Sequence, residues 1–189
     1  MGNPPIIIKT SGEKSQRNSY KSQICPTDNV GFVSFPIFQK GGERMQYGLM
    51  GNRTNKIDAK GRISIPANMR PDLGTEFVAS RGTGKCLALY PLDEWDKFME
   101  SIHTKVTHKK RKQLEFFYLA NAEKMSLDGQ GRLLLNEDLR KAVDLEGEEQ
   151  AVVFGNGKRI EIWNCSQFAE ELGGITVDEV EDILDEYDI

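Results

Sequence analysis

The chain reads as an α+β protein: a small β-barrel built from an internal duplication, with helices at its periphery. Three observations predict this. First, Ile57-Asp-Ala-Lys-Gly-Arg-Ile-Ser-Ile-Pro66 returns seventy residues later as Leu127-Asp-Gly-Gln-Gly-Arg-Leu-Leu-Leu-Asn136. Second, each copy is followed by a second hairpin pattern and then a helical one. Third, a two-hairpin unit of about forty residues cannot bury its apolar faces alone, because isolated hairpins are marginal. Two such units can pair strands with each other. The duplication then supplies both halves of a pseudo-symmetric pair, with equivalent turns on related positions of one surface.

Residues 1–50 show no sustained period and are punctuated by Pro4-Pro5, Gly12, Pro26, Gly31, Pro36 and Gly41-Gly42. Two readings fit them: a flexible N-terminal extension, or residues upstream of a translation start at Met45 or Met50. The first repeat with its helix is expected over 51–105. Strands over 54–57 and 62–65 flank the turn 58–61, whose Gly61 suits a positive φ. Pro66 suits the first position of a short helix over 67–72, where its missing N–H costs nothing. Strands over 76–80 and 86–90 form a second hairpin around Gly82-Thr-Gly84. A helix over 92–102 carries Leu92, Trp95, Phe98 and Ile102 on one face.

A linking segment over 106–123 is expected to be helical from 107, with Leu114, Phe117 and Tyr118 as its buried stripe. The second repeat, 124–172, restarts the series. It has a hairpin turn at 128–131, a helix over 137–143, strands over 150–154 and 159–163 around Gly155-Asn-Gly157, and a helix over 165–172. The remainder, 173–189, is an acidic C-terminal helix. It opens at Thr176 with Glu179 three residues on, a capping-box pattern. Val177, Val180, Leu184 and Tyr187 line one side of it, and such a face needs a partner surface.

The repeat can be aligned in two blocks. At an offset of 70, Asp58, Gly61, Arg62, Arg70 and Leu73 match Asp128, Gly131, Arg132, Arg140 and Val143. At an offset of 73, Gly82, Gly84, Lys85, Leu89, Tyr90 and Trp95 match Gly155, Gly157, Lys158, Ile162, Trp163 and Phe168.

Charge is divided unevenly. The chain of 189 residues has a net charge of −4. Residues 169–189 hold nine acids and no Lys or Arg, so the remainder carries all 25 basic side chains against 20 acids, a net of +5. A basic body with an acidic tail suits a nucleic-acid partner for the body. Cys25, Cys86 and Cys165 lie far apart with no CxxC spacing, which points to reduced thiols rather than a disulfide framework. With only His103 and His108 to join them, no metal site is expected. No apolar run reaches the ~18 residues that span a bilayer, and the three isoleucines near the start are too few for a signal-peptide core. The expected location is cytoplasmic, with no membrane partner.

From about Tyr47 to Gln167 the chain resembles the MraZ family of bacterial regulators of division and cell-wall genes. The residues that carry the resemblance are Asp58-Ala-Lys-Gly-Arg62 with Ile65-Pro66-Ala67 and Arg70, Asp128-Gly-Gln-Gly-Arg132, and Gly155-Asn-Gly-Lys-Arg-Ile-Glu-Ile-Trp163. The doubled DxxxR motif is the hallmark of that family. The resemblance implies an AbrB-like swapped-hairpin β-barrel made of two SpoVT/AbrB-like repeats, and assembly into a ring-shaped homo-oligomer. It also implies sequence-specific binding to short tandem DNA repeats in a promoter, association with the nucleoid, and the DxxxR arginines facing DNA. The second copy departs from the family: Asn136 stands where Pro is usual, and Gln130 replaces the lysine found at position 60.

For Arg62 and Arg132 two roles are open together. A guanidinium can fork onto guanine O6 and N7 or clamp a phosphate. It can equally pair with Asp58 or Asp128 across its own turn. Lys56 and Lys60 add phosphate attraction beside Arg62, where the second copy has Ser126 and Gln130. Asp58, Gly61, Asp128 and Gly131 are read as structural parts of the motif. The run Lys109-Lys-Arg-Lys112 is either a DNA patch or a solvated helix face. Gly82-Thr-Gly-Lys85 resembles the end of a phosphate loop but lacks the full spacing. No nucleophile with a nearby base is discernible, so the expected protein is a regulator without catalytic activity, cofactor or small-molecule substrate. The alternative is a ring scaffold that binds proteins through its acidic helix, with incidental DNA contact.

Overall fold

The computed structural model describes residues 39–40, 43–44 and 48–189. The extension read over 1–50 therefore lies mostly outside the described residues. Strands β1 (Gln39–Lys40) and β2 (Glu43–Arg44) form a short antiparallel pair. The first unit then runs β3 (Leu49–Lys56), β4 (Arg62–Ser64), α1 (Arg70–Leu73), β5 (Glu76–Arg81), β6 (Leu87–Pro91) and α2 (Leu92–Lys105). Helix α3 (His108–Leu119) leads to the second unit. That unit comprises β7 (Glu123–Ser126), β8 (Arg132–Leu134), α4 (Glu137–Ala142), β9 (Gln150–Gly157), β10 (Ile160–Trp163) and α5 (Cys165–Gly173). Helix α6 (Val177–Glu186) follows.

The units pair with each other rather than with themselves. One six-stranded sheet has the order β3-β9-β10-β6-β5-β7, and a separate two-stranded sheet pairs β4 with β8. All these pairings are antiparallel. The first strand of each unit pairs with the third of the other: β3 with β9, and β7 with β5. Strands β6 and β10, themselves repeat equivalents, meet at the centre of the larger sheet.

The registers obey the pseudo-twofold relation residue by residue. Leu87 opposes Ile162 and Leu89 opposes Ile160. Lys56 opposes Gln150 as Ser126 opposes Glu76. This corrects the repeat alignment: β6 and β10 correspond at an offset of 73, but β5 and β9 correspond at 74. The connection 82–86 is one residue longer than its counterpart 156–159. A slip of one residue would turn every side chain to the other face, and Phe77 and Ala79 enter the core as Ala151 and Val153 do. Gly155 is therefore not a turn residue equivalent to Gly82: it lies inside β9, opposite Gly51, whereas Gly157 ends β9 opposite Leu49 and belongs to the connection 156–159.

The main core joins the two sheets. Ile63, Ile65, Leu133 and Leu135 from the smaller sheet and its extensions pack with Phe77, Leu87, Leu89, Val153, Ile160 and Ile162 from the larger one. Each such buried side chain contributes about 1.5–3 kcal/mol relative to exposure. A second cluster, on the other side of the larger sheet, gathers Cys86, Val152, Trp163 and Phe168. Beside it Tyr90 stacks on Phe98, which meets Tyr118 of α3 edge-on. The carboxylate of Glu161 is buried there, and Arg159, Asn156 and the Trp163 indole N–H all donate to it. Buried charge is tolerated because each oxygen is bonded.

Four local expectations need correction. Strand β3 starts at Leu49, well before residue 54, because its whole length is paired with β9. Residues 67–69 form a turn, and the helix opens at Arg70 with Pro71, not Pro66, in its first turn. Helix α3 ends at Leu119, since Glu123 is already committed to pairing with Ala79. Leu92 begins α2 but stays exposed, whereas Ile102 is buried. Among the described residues, no helix is long and apolar enough to cross a membrane.

Candidate nucleic-acid interface

The two DxxxR turns share one construction. Asp58 Oδ1 accepts the backbone N–H of Lys60 at 2.9 Å and of Arg62 at 3.0 Å. Its Oδ2 accepts Arg62 Nε at 2.8 Å and lies 2.7 Å from Nη2. Asp128 does the same for Gln130, Arg132 and the Arg132 guanidinium, at 2.9, 2.9, 2.8 and 2.7 Å. Gly61 and Gly131 both sit at φ 76°, a conformation that glycine adopts without strain. Hydrogen bonds from the arginine side chain, then from its backbone N–H, pull both carboxyls down to about 2. The ion pair across the turn is thus present in both copies. It leaves Nη1 and part of Nη2 of each arginine without a role inside the turn, since a guanidinium has five donors.

Each turn is braced by the opposite unit. Ile65 N–H donates to Gly131 O at 3.0 Å, and Leu135 N–H donates to Gly61 O at 2.8 Å. These bonds extend the β4–β8 pairing in both directions. Within it Ile63 opposes Leu133, and both point into the core. By the alternation of strands, Arg62, Ser64, Arg132 and Leu134 occupy the outer face. Arg62 opposes Leu134 there, and Ser64 opposes Arg132. Leu134 is 51% exposed, and the two arginine side chains are 28% and 25% exposed. A two-stranded ribbon thus presents two pre-oriented guanidinium groups on one surface.

Two further arginines support this surface, and sequence reasoning assigned them no role. Arg70 donates from Nε to Ile65 O at 2.7 Å, and its guanidinium fills the space where a Gly131 side chain would stand. Arg140 lies in the equivalent place below Gly61, though its Nε has no hydrogen-bond partner among the described residues. Their match at an offset of 70 was the available signal. Asn136 also acquires a reason: its Oδ1 accepts Leu139 N–H at 2.8 Å and caps α4.

The charge around the two turns differs. Lys56 and Lys60 are exposed beside the first turn, and Arg53 is exposed farther back on β3. At the equivalent places the second unit has Glu123, Ser126 and Gln130, and its Lys124 is paired with Glu76 at 2.9 Å. Lys85, the last residue of the phosphate-loop look-alike, pairs with Asp144 at 3.2 Å in its hairpin turn. Of the 109–112 run, Arg111 turns inward to Val106 O, and the three lysines stay exposed on α3.

The MraZ protein family, described as antitoxin-like, matches the chain twice in succession, over residues 49–117 and 118–172. Proteins named transcriptional regulator MraZ are similar over most of their length. That of Caldanaerobacter subterraneus subsp. tengcongensis is 35% identical over 144 residues, which is 75% of this chain and 99% of the relative. That of Thermoanaerobacter pseudethanolicus has the same identity and coverage. That of Halothermothrix orenii is 36% identical over 120 residues, 63% of this chain and 82% of the relative.

Proposed function

The chain belongs to the MraZ family, and from that premise we propose that it binds promoter DNA sequence-specifically and regulates transcription without catalysing a reaction. The target is short tandem repeats upstream of division and cell-wall genes, and the setting is the cytoplasm at the nucleoid. The single observation that carries this reading is the β4–β8 ribbon with Arg62 and Arg132 on one outer face. The major groove admits a two-stranded ribbon, and an arginine fork is the commonest reader of guanine there. Asp58 and Asp128 orient the forks, while Lys56 and Lys60 attract phosphate. The basic body supplies the field that draws DNA.

In the same reading the two sheets act as one AbrB-like swapped-hairpin barrel. Its repeats span 51–105 and 124–172, and copies of the chain join in a ring. Tandem DNA repeats then meet several arginine faces at once, which multiplies weak contacts. The test is a mobility shift on the chain's own upstream promoter, with scrambled DNA of equal length as control. Selective retardation of the promoter is expected; equal retardation of both overturns the sequence-specific reading. A scaffold reading has one observation in its favour, the wholly exposed α6, and that result would leave it standing.

A further inference from the structure

Helix α6 is well made yet covers no core residue among the described residues. Thr176 and Glu179 form a reciprocal capping box at its start. It is only ten residues long, however, and none of its side chains is buried. Isolated helices shorter than about 12–15 residues are marginal in water. Its apolar side, Val177, Val180, Leu184 and Tyr187, is therefore a face made for a surface that this chain's own fold leaves uncovered. Six acids occupy the other sides, with no base on the helix.

Helix α3 presents the complement. An open groove of about 650 Å³ runs along it, bounded by Lys109, Lys112 and Gln113 toward one end and Phe116, Phe117 and Ala120 toward the other. Phe116 is 77% exposed. Lys109 and Lys112 make no ion pair among the described residues. The cations also crowd the N-terminal turn of α3, where the helix dipole disfavours them and where no acid is present. An acidic, apolar-faced helix laid in this groove would cover the phenylalanine and offset that charge together.

We propose that α6 of one copy docks in the α3 groove of the next copy, its apolar side over Phe116 and its acids beside Lys109 and Lys112. Every copy then gives one helix and receives one, a head-to-tail contact that closes a ring when the rotation permits. This deepens the ring part of the proposed function and rests on it, but does not depend on DNA. The contact is small beside a standard interface of about 1,600 Å², so it draws its strength from closure and from neighbouring surfaces.

The experiment is the mass of the full chain by light scattering without DNA, with circular dichroism to confirm folding. Wild type is expected at a multiple of 21.3 kDa. Phe116→Glu and Leu184→Glu, both at exposed positions, should each reduce the mass to smaller species. Lys109→Glu with Lys112→Glu should do so too, and adding Glu181→Lys with Asp185→Lys should restore it. Mixing Phe116→Cys chains with Leu184→Cys chains under oxidation should yield a two-chain product carrying one of each, above the background of wild type. A wild-type oligomer whose mass the variants leave unchanged overturns this docking while sparing the ring. A wild-type monomer overturns both, and promoter binding by that monomer would still leave the DNA reading intact.

Discussion

The turn at Asp58–Arg62 and the turn at Asp128–Arg132 agree to within about a tenth of an ångström in each of their carboxylate contacts. Their surroundings differ sharply: Lys56 and Lys60 beside one, Ser126 and Gln130 beside the other. Asp, Gly and Arg are set by the geometry of the turn, so both copies must keep them. At positions 60 and 130 only the backbone N–H bonds to the aspartate, so the side chains there and at the flanking positions 56 and 126 are free to carry the difference in charge. The comparison separates what the fold needs from what the proposed DNA-facing surface would use, and each of the following measurements bears on that separation.

The largest effect is expected on promoter binding. Arg62→Ala should nearly abolish it, because a bidentate base contact is worth about 1–3 kcal/mol and a ring repeats the loss at each occupied site. Arg132→Ala should weaken binding less, since fewer cations hold the backbone beside it. Arg62→Lys should keep much of the attraction yet lose discrimination against scrambled DNA, as an ammonium cannot fork. Titrations with folded, oligomeric variants decide this, and wild-type binding by Arg62→Ala would reduce that arginine to its ion pair with Asp58.

Next come the glycines. A side chain at either position is strained at φ 76°, by about 1–2 kcal/mol. A Cβ on Gly61 would also lie 2.8 Å from Leu135 O, a backbone atom that cannot yield. On Gly131 it would meet the movable end of Arg70. Urea denaturation should therefore find Gly61→Ala the more destabilising of the pair. The reverse order would mean that the Arg70 bond to Ile65 O matters more than the backbone clash.

A smaller effect isolates the flanking charge. Lys56→Ser with Lys60→Gln gives the first turn the neighbours of the second. For every lysine that no longer neutralises a phosphate, the dependence of log affinity on log salt should flatten by about 0.9, with sequence preference kept. An unchanged salt slope would place these lysines away from phosphate. The smallest effect is on acid stability. Both aspartates titrate at about 2 when folded, against an ordinary value of 3.8. Their contribution is therefore complete above the ordinary value and disappears as pH falls toward 2. Being open to solvent at the surface, each contributes modestly. Asp58→Asn and Asp128→Asn should each flatten the acid limb of a stability-against-pH curve by similar amounts, because the two turns are built alike.

Much of this protein follows from short-range chemistry and was legible in its sequence. The turns depend on Asp, Gly and Arg within five residues, and the α6 start depends on Thr176 and Glu179 within four. The duplication is written in matched residues, and membership of a two-unit α+β family follows from it. Contacts between the units were decided only in three dimensions. The offset of 74 between β5 and β9 arises from pairing across the sheet, where a face buried in the core tolerates no slip. Gly155 looked like a turn glycine, yet it lies in a strand where β3 approaches too closely for any side chain. Arg70 reaches from one unit to brace the turn of the other, and no local spacing encodes that. Propensity and turn chemistry act over a few bonds along the chain. Register, close approach and cross-unit bracing depend on which distant residues share a core, and packing alone selects them.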